Sequence, residues 1–451
     1  MAVGLDPAGN EPGVIVVPTS PVVPATGREA RRRRLLQDSA CLASGQIAAL
    51  AAAAVVGLVS ARWLGPDGRG ELVLALAVAS LLGPLAAVGV DSFIASRSRL
   101  EPEVSQGSLA AVGLRVARWG GTALAAGTVA YGASLGLPVG VVVLGAAVAL
   151  VRPTLAVLQA ITTAHDRVAS LGRVLAVSAV SQLIAVLALS LGGATVADFV
   201  AASLVGLVVG CILLVRITGW PVAARRPVLD AVCRRRVRRF GGKVVLGDAL
   251  QTANYRLDVF VLAAFVPVSD VGVYAVAVTV VEILWQLPHA LSRSLLPRIS
   301  AGELNRAGVV RLSSVLAAGL VVVSAAGLAL ASWLTVPVLG GGYAAVPALL
   351  AILLPGVVAV GATKPLAAWA LSQGHPERNL RASGLGFAVV VVGDLLLIPR
   401  FGLAGAALAS TLAYVVTAGA VLVPPRDDDR RPRPPGSRAG SPGDERRRGG
   451  G

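Results

Sequence analysis

Charge is scarce in this sequence. Asp, Glu, Lys and Arg make up 14% of it, against roughly a quarter in an ordinary soluble domain, while hydrophobic residues reach 55%. That imbalance excludes a water-soluble globular protein and points to a polytopic membrane protein. Lysine is nearly missing: Lys243 and Lys364 are the only two, so arginine carries the net charge of +16. On a soluble chain such a balance would suggest nucleic acid. Here the arginines lie between apolar runs and in the tails, where they set topology and meet anionic headgroups. Membrane lipids are therefore expected partners and nucleic acid is not. Cysteine is equally sparse. Cys41, Cys211 and Cys233 are odd in number and scattered, which supports neither a disulfide framework nor a metal site. No G-x-x-x-x-G-K-[ST] phosphate loop occurs. A G-x-S-x-G match from Gly132 to Gly136 falls at the end of an apolar helix, not on the strand-to-helix turn that such a nucleophile needs. The chain reads as a transporter rather than an enzyme, with no cofactor and no metal.

What the sequence does have is a succession of long apolar runs. A spanning helix needs about 20 mainly apolar residues, and twelve candidates fit: 39–60, 71–95, 112–136, 139–163, 170–190, 195–215, 243–266, 271–296, 311–336, 345–371, 380–398 and 402–423. Arginines cluster at alternate ends of these runs, before the first span (Arg31–Arg34) and then at Arg97 and Arg99, Arg167 and Arg173, Arg225 to Arg239, Arg298 and Arg306, and Arg378 and Arg381. The intervening loops hold only Arg62, Arg69 and Arg400. The bias predicts both termini in the cytoplasm.

The two halves repeat. ARWLGPDGRGELVLALAVA at 61–79 resembles LAAFVPVSDVGVYAVAVTV at 262–280, with Pro66 and Pro267, and Gly70 and Gly272, in similar places. LQAITTAHDR at 158–167 resembles ALSQGHPER at 370–378, and VADFVAASLVG at 196–206 resembles LAGAALASTLA at 403–413, matching Ser203 to Ser410. Six spans per half give parallel repeats about an axis along the membrane normal, a transporter layout. The expected organisation is a disordered cytoplasmic tail over 1–34, an N-lobe over 35–216 and a basic cytoplasmic linker over 217–242. A C-lobe follows over 243–424, and a disordered, arginine- and proline-rich tail over 425–451. The fold class is an all-α integral membrane protein, with twelve transmembrane helices in two parallel six-helix lobes around a central cavity.

Ionisable groups inside spans single out the candidate site. Each costs about 2.5–3.5 kcal/mol at mid-helix even on the lenient insertion scale, so it must face a wet cavity or a partner. The seventh span carries Asp248, Asn254, Tyr255, Arg256 and Asp258, the eighth Glu282, the fourth Arg152 and the tenth Lys364. At 100° per residue the polar side chains of the seventh span fill an arc of about 200°. Arg256 and Asp258 fall about 160° apart on it, too far to pair. Each needs a partner on another helix, or a ligand. Inter-helix salt bridges are one reading of Arg152, Arg256 and Glu282; cations that hold an anionic headgroup, with carboxylates that carry a coupling ion, are the other. Asp91 and Asp394 lie near span ends, which suggests a structural or interfacial role.

NYRLDVFVLAAF at 254–265, followed by DVGVYAVAVTVVEILWQLPHALSRSLLPRIS at 270–300, and ARWLGPDGRGELVLALAVASLLGPLAAVGVDSFIAS at 61–96 resemble the polysaccharide-transporter (Wzx-like) flippases. That family belongs to the multidrug/oligosaccharidyl-lipid/polysaccharide exporter superfamily, and the resemblance runs over roughly residues 35–424. It implies two lobes that open alternately to each side of the cell membrane. It also implies movement of a polyprenyl-diphosphate-linked oligosaccharide to the outer leaflet for surface polysaccharide or lipopolysaccharide assembly, with polysaccharide polymerase and glycosyltransferases as candidate partners. Arg256 and Asp258 match the family's arginine–leucine–aspartate stretch. Arg256, Tyr255 and Asn254, with Arg152 and Lys364 chosen from their mid-span positions alone, are the candidates to bind the headgroup, and Asp258, Glu282 and Asp248 are ion-coupling candidates. The rivals are a multidrug exporter, which would want a more acidic and aromatic-rich cavity, a peptidoglycan-precursor exporter, and a non-transporting membrane scaffold.

Overall fold

The computed structural model describes residues 25–97, 106–219, 231–300, 305–373 and 376–423. These are helical almost throughout, in eleven α-helical segments. The first half contains α1 (Ala25–Ala86), α2 (Val90–Arg97), α3 (Gln106–Ser134), α4 (Val139–Ala164), α5 (Val168–Leu189) and α6 (Val196–Thr218). The second contains α7 (Ala231–Phe265), α8 (Val268–Ser300), α9 (Arg306–Leu339), α10 (Val346–Ser372) and α11 (Pro376–Leu422).

Two of these are double. Gly65 sits at φ 67° inside α1, and Gly402 at φ 53° inside α11, a left-handed backbone that side-chain-bearing residues rarely adopt. Each glycine divides its helix in two, so α1 and α11 supply two spans apiece and the described residues hold twelve, six per half. Among the described residues eight helices, with α1 and α11 counted once each, are long and apolar enough to cross a membrane. The difference is made up by the two kinks and by α3 and α7, whose polar residues dilute them. The second expected span, 71–95, is cut short: the helix ends at Ala86, and Val88 (φ 49°) and Gly89 (φ 71°) turn the chain into α2. At the other boundaries α1 begins at Ala25, inside the expected tail, and α7 at Ala231, inside the expected linker. The tail residues 1–24 and 424–451 lie outside the described part.

The outer surface is apolar. Trp119, Leu191, Val322 and Trp333 are more than two-thirds exposed, a pattern that would mark an interface on a soluble protein and that a bilayer covers here. Within each half the helices pack on one another, and the halves meet where α1 lies against α7 and α8. That seam is built from the repeated segments. The Cα of Gly70 faces the backbone carbonyl of Val268, and that of Gly272 faces the carbonyl of Pro66, so neither position has room for a Cβ. Close approach of this kind needs small residues. The Tyr343 hydroxyl adds a cross-lobe bond to the Ala61 carbonyl, 3.0 Å away.

Candidate functional site

The polar arc of α7 does not address one cavity; it turns toward three. Arg256 faces α8, where its Nη2 lies 2.6 Å from Glu282 Oε1. This pair borders a cavity of about 310 Å³ between the lobes, into which α1 sends Arg69, α4 sends Arg152, and α5 and α6 send Gln182 and Ser203. Three arginines against one carboxylate leave a formal excess of two positive charges. The three cations are held differently. Arg256 is paired. Arg69 donates from Nη1 to Ser60 Oγ at 2.8 Å and from Nη2 to Thr279 Oγ1 at 3.3 Å, so it joins the two lobes. Arg152 is exposed to the cavity and has no hydrogen-bond or ion-pair partner among the described residues. An unpaired guanidinium away from bulk water presents a planar fork of donors suited to phosphate oxygens.

The next sector of α7 faces into the C-lobe. Thr252 and Tyr255 border a second pocket of about 280 Å³ with Trp285, Gln286, His289 and Tyr414. Arg256 and Glu282 line this pocket too, so the ion pair stands on the boundary between both spaces. Gln251, Asn254 and Lys364 belong to a third space of about 110 Å³ toward α10 and α11. Lys364 lies with its ammonium 5.7 Å from the centre of the Trp285 ring, within cation–π range.

Asp258 points away from all three. It is buried, and accepts from the Tyr274 hydroxyl at 2.5 Å, from Ser410 Oγ at 3.5 Å and from the backbone N–H of Val259 at 2.8 Å. The predicted separation from Arg256 therefore holds, and the two residues take partners on different helices. Asp394 departs from its expected place at a span end. It is completely buried, neither carboxylate oxygen has a hydrogen-bond partner among the described residues, and it lies near enough to Asp258 for the two to interact electrostatically. The reason is the kink at Gly402, which folds both limbs of α11 against α7 and carries Asp394 inward with Ser410.

Of the residues singled out from sequence, Arg152, Arg256 and Glu282 come together in the central cavity, Tyr255 borders the second pocket, and Lys364 and Asn254 share the third. The side chain of Asp248 lies outside the described part. Arg69 was assigned to a loop and instead belongs to the cavity, because Gly65 starts the second limb of α1 earlier than hydropathy suggests. The aromatic contribution of Trp285 and Tyr414 had no sequence signal beyond their rarity.

A family model described as polysaccharide biosynthesis protein matches residues 35–303. A probable flippase, AglR of Haloferax volcanii, is 29% identical over 194 residues, spanning 39% of this chain and 38% of that protein. The sequence match thus reaches little more than a third of that relative's length. Solved structures share the fold at lower identity. A lipid II flippase, MurJ in an inward closed conformation, has a TM-score of 0.67 at 12% identity over 86% of this chain and 87% of its own. A mutant of the Vibrio cholerae MATE transporter VcmN has a TM-score of 0.62 at 14% identity, over 85% and 94%.

Proposed function

The chain belongs to the polysaccharide biosynthesis protein family, and from that premise we propose that it is a flippase that carries a polyprenyl-diphosphate-linked oligosaccharide from the inner to the outer leaflet by alternating access. The single observation that carries this reading is the cationic cavity between the lobes, with Arg152 unpaired in it. A diphosphate headgroup is large and anionic and must cross about 30 Å of hydrocarbon. Arg152 supplies the free bidentate donor for it, and Arg69 and Arg256 raise the local potential. The acidic cavity that a cationic drug would need is not what lines this space, which disfavours the multidrug alternative. A peptidoglycan precursor carries the same diphosphate, so that alternative differs in the group attached beyond it.

Asp258 and Asp394 fit an ion-coupling role better than Glu282, whose carboxylate is already matched to Arg256. On this reading both termini lie in the cytoplasm, as the arginine distribution predicts. The test is complementation in cells that lack the gene. Arg152→Ala should abolish surface polysaccharide while the protein still inserts at normal levels, and Arg256→Ala should reduce it. Exchanging Arg256 and Glu282 should not restore full export. Full export by Arg152→Ala would remove the site assignment, and full rescue by the exchanged pair would favour a purely structural bridge, as in a scaffold.

A further inference from the structure

We propose that the second pocket, in the C-lobe beside the Arg256–Glu282 pair, is a carbohydrate subsite in which Trp285, Tyr255 and Tyr414 form a stacking platform for the sugar attached to the diphosphate. This rests on the flippase reading above and assigns the non-phosphate part of the headgroup.

The chain has six tryptophans and five tyrosines in 451 residues, yet three of these eleven meet here from three different helices. Tyr255 of α7 packs edge-on to Trp285 of α8 at 4.1 Å between ring centres, and Tyr414 of α11 lies 5.1 Å from Trp285 and 5.9 Å from Tyr255. Large rigid rings offer wide contact area at small conformational cost, with a polar handle at the edge. Val278 and Val281 add apolar wall, and Thr252, Gln286 and the Glu282 carboxylate add groups that can meet hydroxyls. An apolar-walled space with a few convergent polar groups is the usual form of a small-molecule site, and about 280 Å³ is close to the lower bound of roughly 300 Å³ for such sites. Its position is the decisive point. Arg256 and Glu282 line both this pocket and the arginine cavity, so a phosphate held by Arg152 places the next unit of the headgroup at the aromatic pocket. An organic cation fits less well, because Arg256 already neutralises Glu282 and Lys364 already occupies a cation–π position on Trp285.

The experiment measures binding of two probes to the full-length protein: a polyprenyl diphosphate without sugar, and the same lipid carrying one N-acetylglucosamine. Wild type should bind the glycosylated lipid more tightly. Trp285→Leu should weaken the glycosylated lipid roughly tenfold, the order expected for one lost packing contact, and leave the bare lipid unchanged, which also shows the variant is folded. Trp285→Phe, which keeps a ring, should retain most of the preference. If Trp285→Leu loses both lipids together, Gln286→Ala, an exposed wall residue, decides: weakening confined to the glycosylated lipid upholds the subsite. Equal affinities of wild type for the two lipids, or no selective loss in either Trp285→Leu or Gln286→Ala, overturns it. A lipophilic cation bound in a Trp285-dependent way also overturns it. Failure of wild type to bind even the bare diphosphate lipid overturns the flippase reading itself.

Discussion

Asp394 is the residue whose surroundings agree least with its chemistry. A carboxyl with no exposure and, among the described residues, no hydrogen bond to either oxygen is costly to keep charged, because desolvating an unpaired charge costs several kcal/mol. On the flippase reading it is therefore a candidate seat for the coupling ion, with Asp258 as its electrostatic neighbour. The expected outcome is that Asp394→Asn uncouples the protein: transport no longer responds to an imposed sodium or proton gradient, while binding of the lipid diphosphate is kept. A variant that responds to the gradient like wild type would exclude Asp394 from coupling. The contrast with the Arg256–Glu282 pair is instructive. Those two side chains are each more than a third exposed, at 36% and 38%, to the pockets they line, so loss of their bridge should affect transport more than folding.

At this scale the sequence was legible where a charge stood mid-span. Arg152, Arg256 and Glu282 announce themselves because an apolar run gives them no other excuse. Asp394 and Arg69 did not, because each lies close to a helix kink, and whether such a residue faces inward depends on where the chain turns. Tyr255 was legible as part of the polar seventh span, but nothing in the spacing of Trp285 and Tyr414 says that three helices bring them to it.

At the scale of elements, the seam between lobes depends on two glycines related by the internal repeat. Gly70 lies under the Val268 carbonyl and Gly272 under the Pro66 carbonyl, so a side chain at either would wedge α1 from α8. Gly70→Val and Gly272→Val should each insert normally and lose most transport, since the observed arrangement of the lobes could no longer form. On a background with the three native cysteines replaced, a cysteine at Ser60 should react faster with a water-soluble maleimide in these variants. Unchanged labelling and transport would mean that the seam does not open and close as a unit. The repeat that exposes this pair was visible in the sequence, as were all twelve spans. Their ends were not: the turn at Val88–Gly89 and the kinks at Gly65 and Gly402 are backbone events inside apolar stretches, where hydropathy has no contrast to register.

At the scale of the molecule, the two halves share an architecture and divide the work differently from what the charged seventh span suggests. The N-half brings Arg69 and Arg152 to the cavity, and the C-half brings Arg256 with its own counter-ion, so the excess positive charge belongs mainly to the N-half. The C-half holds the aromatic pocket and the buried carboxylates. On the alternating-access proposal the lobes move relative to one another, and Arg69, bonded to Ser60 in one and Thr279 in the other, sits where that motion would be felt.

The most direct measurement is translocation in proteoliposomes that contain the purified protein and a fluorescent polyprenyl-diphosphate-linked sugar in one leaflet. Wild type is predicted to deliver the labelled lipid to the opposite leaflet, and Arg152→Ala to fall to the rate of protein-free vesicles. Movement at the wild-type rate by Arg152→Ala, or none by wild type, would contradict the account.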